Sequence, residues 1–235
     1  MKIVKKVTNK ILTLLPLQCQ IAYIQKQLTS KKVPDFVSFK VADCEEEWIE
    51  AARIVHDAYE TKGYSGLKAG GLRVTQDHLD GHAYFLIAKD TRTNKVIGTI
   101  TINRKNIFKD DYTIELCSLA LDPKARGLNI ANGLFRYFFG LFLISSNAKQ
   151  LFAQVHPKEE IFYKALSFKR LSDKIYFLEG AETVALFFDD LSWKDLEKNS
   201  HEVHKFFSTS CAQLTEHPDT KPMSDFLKQF NWVHS

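Results

Sequence analysis

Several common guides to function are missing from this chain. Its four cysteines, Cys19, Cys44, Cys117 and Cys211, stand far apart, with no Cys-x-x-Cys pair and no histidine at metal-ligand spacing beside them. No metal site and no disulfide framework can be read from such spacing, and the thiols read as reduced and mostly buried in a cytosolic protein. No apolar run approaches the ~20 residues that span a bilayer. The first apolar stretch is broken by Asn9, Lys10 and Pro16 and has no small-residue cleavage site after it. Gln18, not a small residue, precedes Cys19, so a lipoprotein signal is disfavoured as well. Internal repeats and low-complexity runs are also lacking. Acids are absent from residues 1–34, which hold seven lysines and not one Asp or Glu.

What is present is an ordinary globular balance over 235 residues, 45% hydrophobic and 26% charged, with 18 phenylalanines that require a large apolar core or a greasy cavity. Net charge is +4, yet residues 35–235 carry 25 basic and 28 acidic groups. The positive charge therefore belongs to an arm on a near-neutral body, which argues against a nucleic-acid-binding surface. Ile3, Val4, Val7, Ile11, Leu14 and Leu15 share one face of a predicted helix over 2–15, with Lys2, Lys5, Lys6 and Lys10 near or opposite it. Such a segment suits an acidic carrier protein or the anionic inner face of a membrane. Three regions follow: a basic helical arm at 1–34, a main domain at 36–191 and a helical tail at 192–235.

Within the main domain, 36–41 reads as a strand and 48–59 as a helix with an apolar stripe. Residues 83–89 and 95–103 form a hairpin across Asp90-Thr91-Arg92-Thr93-Asn94. Strand 113–121, apolar helix 130–144 and strand 150–156 come next. A short helix at Ile161–Phe168, two strands around Gly180 and tail helices near 193–209 and 222–230 complete the pattern. The order implies an α/β fold: a mixed, mostly antiparallel sheet with one parallel strand–helix–strand crossover at its centre. Ligands bind such a sheet at the carboxyl ends of the parallel strands.

The turn at that point reads Asp122-Pro123-Lys124-Ala125-Arg126-Gly127-Leu128-Asn129-Ile130-Ala131. The free N–H groups of the helix's first turn suit a phosphate or pyrophosphate, Gly127 lets the backbone approach, and Arg126 can add a charge-assisted bond. An ordinary strand-to-helix turn is the bland alternative.

This stretch resembles motif A of the GNAT superfamily of N-acetyltransferases, R/Q-x-x-G-x-G/A. Arg126 takes its first position, Ala131 its last, and Asn129 stands where the superfamily has glycine. Tyr59 with Lys62-Gly63-Tyr64, Leu72-Arg73-Val74-Thr75, Val96–Thr101, Glu115–Leu121, and His156-Pro157-Lys158 with Phe162–Phe168 resemble the motifs of the long-chain N-acyl amino acid synthases, relatives of the acyl-homoserine-lactone synthases. Ser167 replaces their usual glycine. The resemblance covers residues 36–191. It implies transfer of a fatty acyl group from acyl carrier protein or acyl-CoA to the amine of an amino acid or similar small amine. The donor contacts it implies are Leu119 and Leu121, Arg126, Gly127, Leu128, Asn129, Ile130 and Ala131, and His156. No tightly bound cofactor and no metal is expected. An acetyl-CoA-dependent acetyltransferase and a non-catalytic binding module are the other readings of the same residues.

Aminolysis of a thioester needs a neutral amine, so a base helps near neutral pH. Glu115, alone among apolar neighbours in its strand, is the candidate base, because desolvation raises a carboxyl's pKa; a structural carboxylate is the alternative. Tyr163, at the place of a tyrosine that protonates the leaving thiolate in many acetyltransferases, is the candidate acid, with simple packing as the alternative. His156 can orient substrate or serve as a hydrogen-bonded structural residue. Cys117 has no His–Asp partner in the sequence and is discounted as a nucleophile. The glycine-rich stretch 63–73 reads as a lid over the amine site or as a plain surface loop, and the apolar helix 130–144 as core with one face free to wall an acyl tunnel.

Overall fold

The computed structural model describes residues 15–30, 32–64, 71–105, 108, 113–144, 149–205 and 207–208. The expected helix at 222–230, residues 2–14 of the one expected at 2–15 and residues 65–70 of the expected lid lie outside them. Eight strands are described: β1 (Val37–Val41), β2 (Ala83–Asp90), β3 (Lys95–Asn103), β4 (Thr113–Leu121), β5 (Gln150–Val155), β6 (Lys169–Arg170), β7 (Tyr176–Leu178) and β8 (Ala181–Phe188). They run in the order β1-β2-β3-β4-β5-β8-β6, with β7 folded back on β8. Among the described strands only β4 and β5 pair in parallel, and helix α4 (Ile130–Ile144) makes the crossover between them.

Local chemistry accounts for the elements. The β2–β3 hairpin turns through Asn94 at φ 58°, a left-handed conformation that Asn tolerates. Helix α2 (Glu45–Thr61) opens with Glu45, Glu46 and Glu47, acids that favour the positive end of the helix dipole. Glu47 is buried, and Lys89 at 2.7 Å and Lys40 at 3.0 Å neutralise it. A short helix α3 (Gln76–Leu79) begins in a capping box formed by Thr75 and His78. Helix α4 has no polar stripe: Leu134, Phe135, Phe138 and Phe139 are fully buried, and the helix is a wedge of core.

The sheet has a core on each face. The larger one joins α4 to Leu86, Ile100, Leu116, Leu151, Leu186 and Phe188; the smaller packs Ala51, Ala52 and Val55 of α2 on Phe85, Ile87 and Val96. Helix α1 (Leu17–Ser30) adds Leu28 to the larger core. It is tied down by Gln25 Nε2, which donates to the Ala165 carbonyl at 3.0 Å and to Ser200 Oγ at 2.6 Å. Helix α5 (Glu160–Lys164) follows β5, and α6 (Asp190–Asn199) begins the tail, whose Val203 and Phe207 also reach the core. Among the described residues no helix is long and apolar enough to cross a membrane.

Candidate active site

The parallel pairing of β4 with β5 covers Thr113–Leu116 against Gln150–Ala153 and goes no further. Beyond it the strands part, and a cavity of about 570 Å³ opens between Leu116–Leu121 on one side and Gln154, Val155 and His156 on the other. A bulge sharpens the opening. Thr99 faces Ala120 and Thr101 faces Cys117, so β4 carries one residue more than β3 here, and Ser118 takes φ 53°. A bulge leaves its extra residue out of the hydrogen-bond ladder and re-aims the neighbouring groups.

At one end of the cavity lies the turn before α4. Asp122 starts it by accepting the Lys124 N–H at 2.7 Å, and Pro123–Ala125 form one 3-10 turn. Gly127 at φ 93° and Asn129 at φ 63° then reverse the backbone handedness, and Asn129 Oδ1 accepts from Asn132 Nδ2. The first N–H groups of α4 have no partner within the helix. Of the expected donor residues, Leu119, Leu121, Arg126, Ala131 and His156 line the cavity. Gly127, Leu128 and Asn129 shape the turn, and the Ile130 side chain faces the core.

Opposite stands the face built by α2 and α5. Tyr163 lines the cavity with 7% of its surface exposed, and burial pushes its phenol well above the usual range, so it stays a neutral O–H donor. His156 caps the turn Pro157–Glu159 by accepting the Lys158 N–H at Nδ1, at 3.1 Å. That bond gives the ring a structural task in a residue that also lines the cavity. Tyr59 and Tyr64 also line the cavity, neither of them a predicted site residue. The Tyr59 hydroxyl is 3.2 Å from Ser118 Oγ, and its pKa is pushed up to about 12 by burial. Arg73 sets its guanidinium 4.1 Å above the Tyr59 ring and pairs with Glu179 at 2.7 Å.

Glu115 does not itself line the cavity. It lies beyond Cys117 on the same face of β4, two residues further from the turn, and Asn103 is its cross-strand partner on β3. Asn103 Nδ2 donates to Asp77 at 2.9 Å and reaches Glu115 at 3.5 Å. Burial, with the charge of Asp77 in addition, raises the Glu115 carboxyl from its ordinary 4.5 to about 7. A carboxyl poised there can exchange protons near neutral pH. Cys117, between Glu115 and the cavity, is different: burial first, then the Glu115 charge, drive its thiol up, the reverse of what a thiolate nucleophile needs.

A mixed sheet that opens at a parallel strand pair, with a helix start beside the opening, is the architecture of the GNAT acyltransferases. The family model of the N-acyl amino acid synthase FeeM matches residues 50–187, more than half of the chain, and the chain belongs to that family. Among solved structures it is similar to FeeM, an N-acyl amino acid synthase from uncultured soil microbes, with 18% identity and a TM-score of 0.54 over 68% of this chain and 93% of that one. It is also similar to the ribosomal-protein-S5-alanine acetyltransferase of Vibrio fischeri, at 13% identity and a TM-score of 0.52 over 67% and 94% of the two chains. Spermidine/spermine N-acetyltransferase SpeG of Vibrio cholerae follows at 12% identity and 0.50, over 71% and 100%. At these identities the likeness is one of fold. No curated protein matches the chain.

Proposed function

We propose that this N-acyltransferase moves a long fatty acyl group from a phosphopantetheine thioester, on acyl carrier protein or coenzyme A, to the amine of an amino acid or similar small amine. The observation that carries this reading is the cavity at the β4–β5 opening, with the Arg126–Ala131 turn at one end and Glu115 beyond the other. The phosphate would rest on the turn, held by the N–H groups of Gly127 to Ala131 and by Arg126. The pantetheine arm would run along Leu119 and Leu121 past His156, which brings the thioester near the bulge at Ser118. Leu116, Leu119, Val155 and Phe162 give the cavity apolar walls, suited to a chain whose burial contributes ~0.8 kcal/mol per methylene.

Glu115 takes one proton from the acceptor's ammonium, directly or through water. The neutral nitrogen attacks the thioester carbon, and the oxyanion accepts from a backbone N–H that the bulge has freed. The C–S bond then breaks. Tyr163 donates its O–H proton to the sulfur and regains, through water, the second proton that the nitrogen loses, while Glu115 gives up the first to solvent; the products are an amide, a free thiol and one proton. The test compares acetyl, octanoyl and palmitoyl donors on both carriers with a panel of amino acids, read by mass spectrometry. Palmitoyl or octanoyl amides should dominate; preference for acetyl-CoA would replace this reading with that of an ordinary acetyltransferase.

A further inference from the structure

Two carboxylates share one amide nitrogen beside the cavity, at unequal distances. Asp77 stands in the first turn of α3, a helix whose capping box holds it across from the end of β3. Asn103 is buried, with 6% of its surface exposed, and its single amide nitrogen lies 2.9 Å from Asp77 Oδ2 but 3.5 Å from Glu115 Oε2. Its carbonyl end is engaged too, accepting the Lys105 N–H at 3.0 Å. The amide is therefore fixed in direction, and Asp77 has the better share of it. We propose that Asp77 is a positioning residue for Glu115: it draws the Asn103 amide to itself and sets a second negative charge beside the first. The proposal rests on the reading of Glu115 as the base, and it adds how that base is tuned.

The physical consequence follows from two effects of the same sign. A carboxylate whose hydrogen bond is held long gains less from it as an anion, and a nearby like charge disfavours the anion further. Burial supplies the larger part of the rise in the Glu115 carboxyl and Asp77 the next, while the weak Asn103 bond opposes both. The other titratable groups nearby leave this arrangement in place. Cys117, the neighbour on the same strand, stays a neutral thiol. His78 of α3 is held neutral, its pKa lowered to about 4 by burial. Arg73, before α3, is paired with Glu179. Lys105, at the end of β3, is 3.5 Å from Asp77 and 3.9 Å from Asp80, but more than half exposed, so water screens it. From β5 the neighbour in register is Phe152, which carries no charge.

The experiment follows the Glu115 carboxyl carbon by NMR in protein carrying 13C-labelled glutamate, with Glu115→Gln used to assign the signal. Asp77→Asn should lower the Glu115 midpoint by roughly one pH unit, a tenfold change in proton affinity. Asp77→Glu should restore most of it, and Asp80→Asn, which removes a charge from the end of the same short helix, should leave it in place. An unmoved midpoint in Asp77→Asn, or an equal fall in Asp80→Asn, overturns the proposal. The pH profile of kcat/KM separates the two readings. If the NMR midpoint falls and the acid limb falls with it, both stand; if the midpoint falls and the limb does not, tuning by Asp77 stands and Glu115 is not the base.

Discussion

At the scale of single residues, Glu115 carries the heaviest demand. Replacing it by Gln keeps shape and hydrogen-bonding capacity but removes the base, so kcat should fall by roughly 10²–10⁴ while donor affinity changes little. The acid limb of kcat/KM, set near pH 7 by the raised carboxyl, should vanish with it. The same substitution has a second signature in stability. Because the folded-state pKa of about 7 lies above the ordinary 4.5, folding favours the protonated form. That contribution is fully present below pH 4.5 and is lost as pH rises through 7. Glu115→Gln should therefore gain in melting temperature relative to the wild type between pH 5 and pH 8. A constant difference across that range, or a retained acid limb, would return Glu115 to a structural role. The candidate base is legible in the sequence as a lone acid in an apolar strand, and its environment is not. Asp77 lies 38 residues earlier on a four-residue helix, and only the register of β3 against β4 brings Asn103 between the two acids. The two departures from family glycines are likewise explained only in three dimensions. Asn129 and Ser167 both adopt left-handed backbone, at φ 63° and 61°, so these positions need the conformation rather than glycine itself.

At the scale of elements, long periodic segments were readable and short ones were not. The hairpin, the β4–α4–β5 crossover and the α2 stripe follow from apolar periodicity. Helix α3 and strand β6 have four residues and two, too few to show a period, and they exist because a cap and an edge pairing hold them. The bulge in β4 was equally hidden, since Ser118 carries no sign of a positive φ. One glycine exposes how tightly the donor turn is built onto the sheet. A Cβ on Gly98 of β3 would come within 2.6 Å of Leu121 Cδ2 and 3.0 Å of Ile130 Cγ2, the residues that flank the turn. Leu121 can swing its side-chain end, but Ile130 is β-branched, stiff and fully packed. Gly98→Ala should therefore cost about 1–3 kcal/mol by urea unfolding and raise the KM for the acyl donor more than it lowers kcat. Unchanged stability together with unchanged donor KM would show that the turn does not depend on this contact.

At the scale of the whole molecule, the contrast between a lysine-rich start and a near-neutral remainder raises the question of what the first segment contributes. Two contributions can be separated. Helix α1 buries Leu28 in the main core and bonds through Gln25 to the end of the helix that bears Tyr163. Its role is structural, and the sequence alone gave no sign of it because α1 has no buried acid, glycine or cap to mark a docking face. Residues 1–14 carry four of the seven lysines and no acid, and we infer that they meet an acidic carrier protein or an anionic membrane surface. Attraction of that kind must weaken with salt, because exposed charges are screened over about 10 Å at 0.1 M. A chain beginning at Leu15 should lose salt-sensitive association with carrier protein or with vesicles rich in anionic lipid. A chain beginning at Pro34 should lose stability as well, since truncating one buried leucine such as Leu28 to Ala already costs about 2–5 kcal/mol. If the chain beginning at Leu15 binds carrier and vesicles as the full chain does at every salt concentration, the lysines of the first segment serve neither partner.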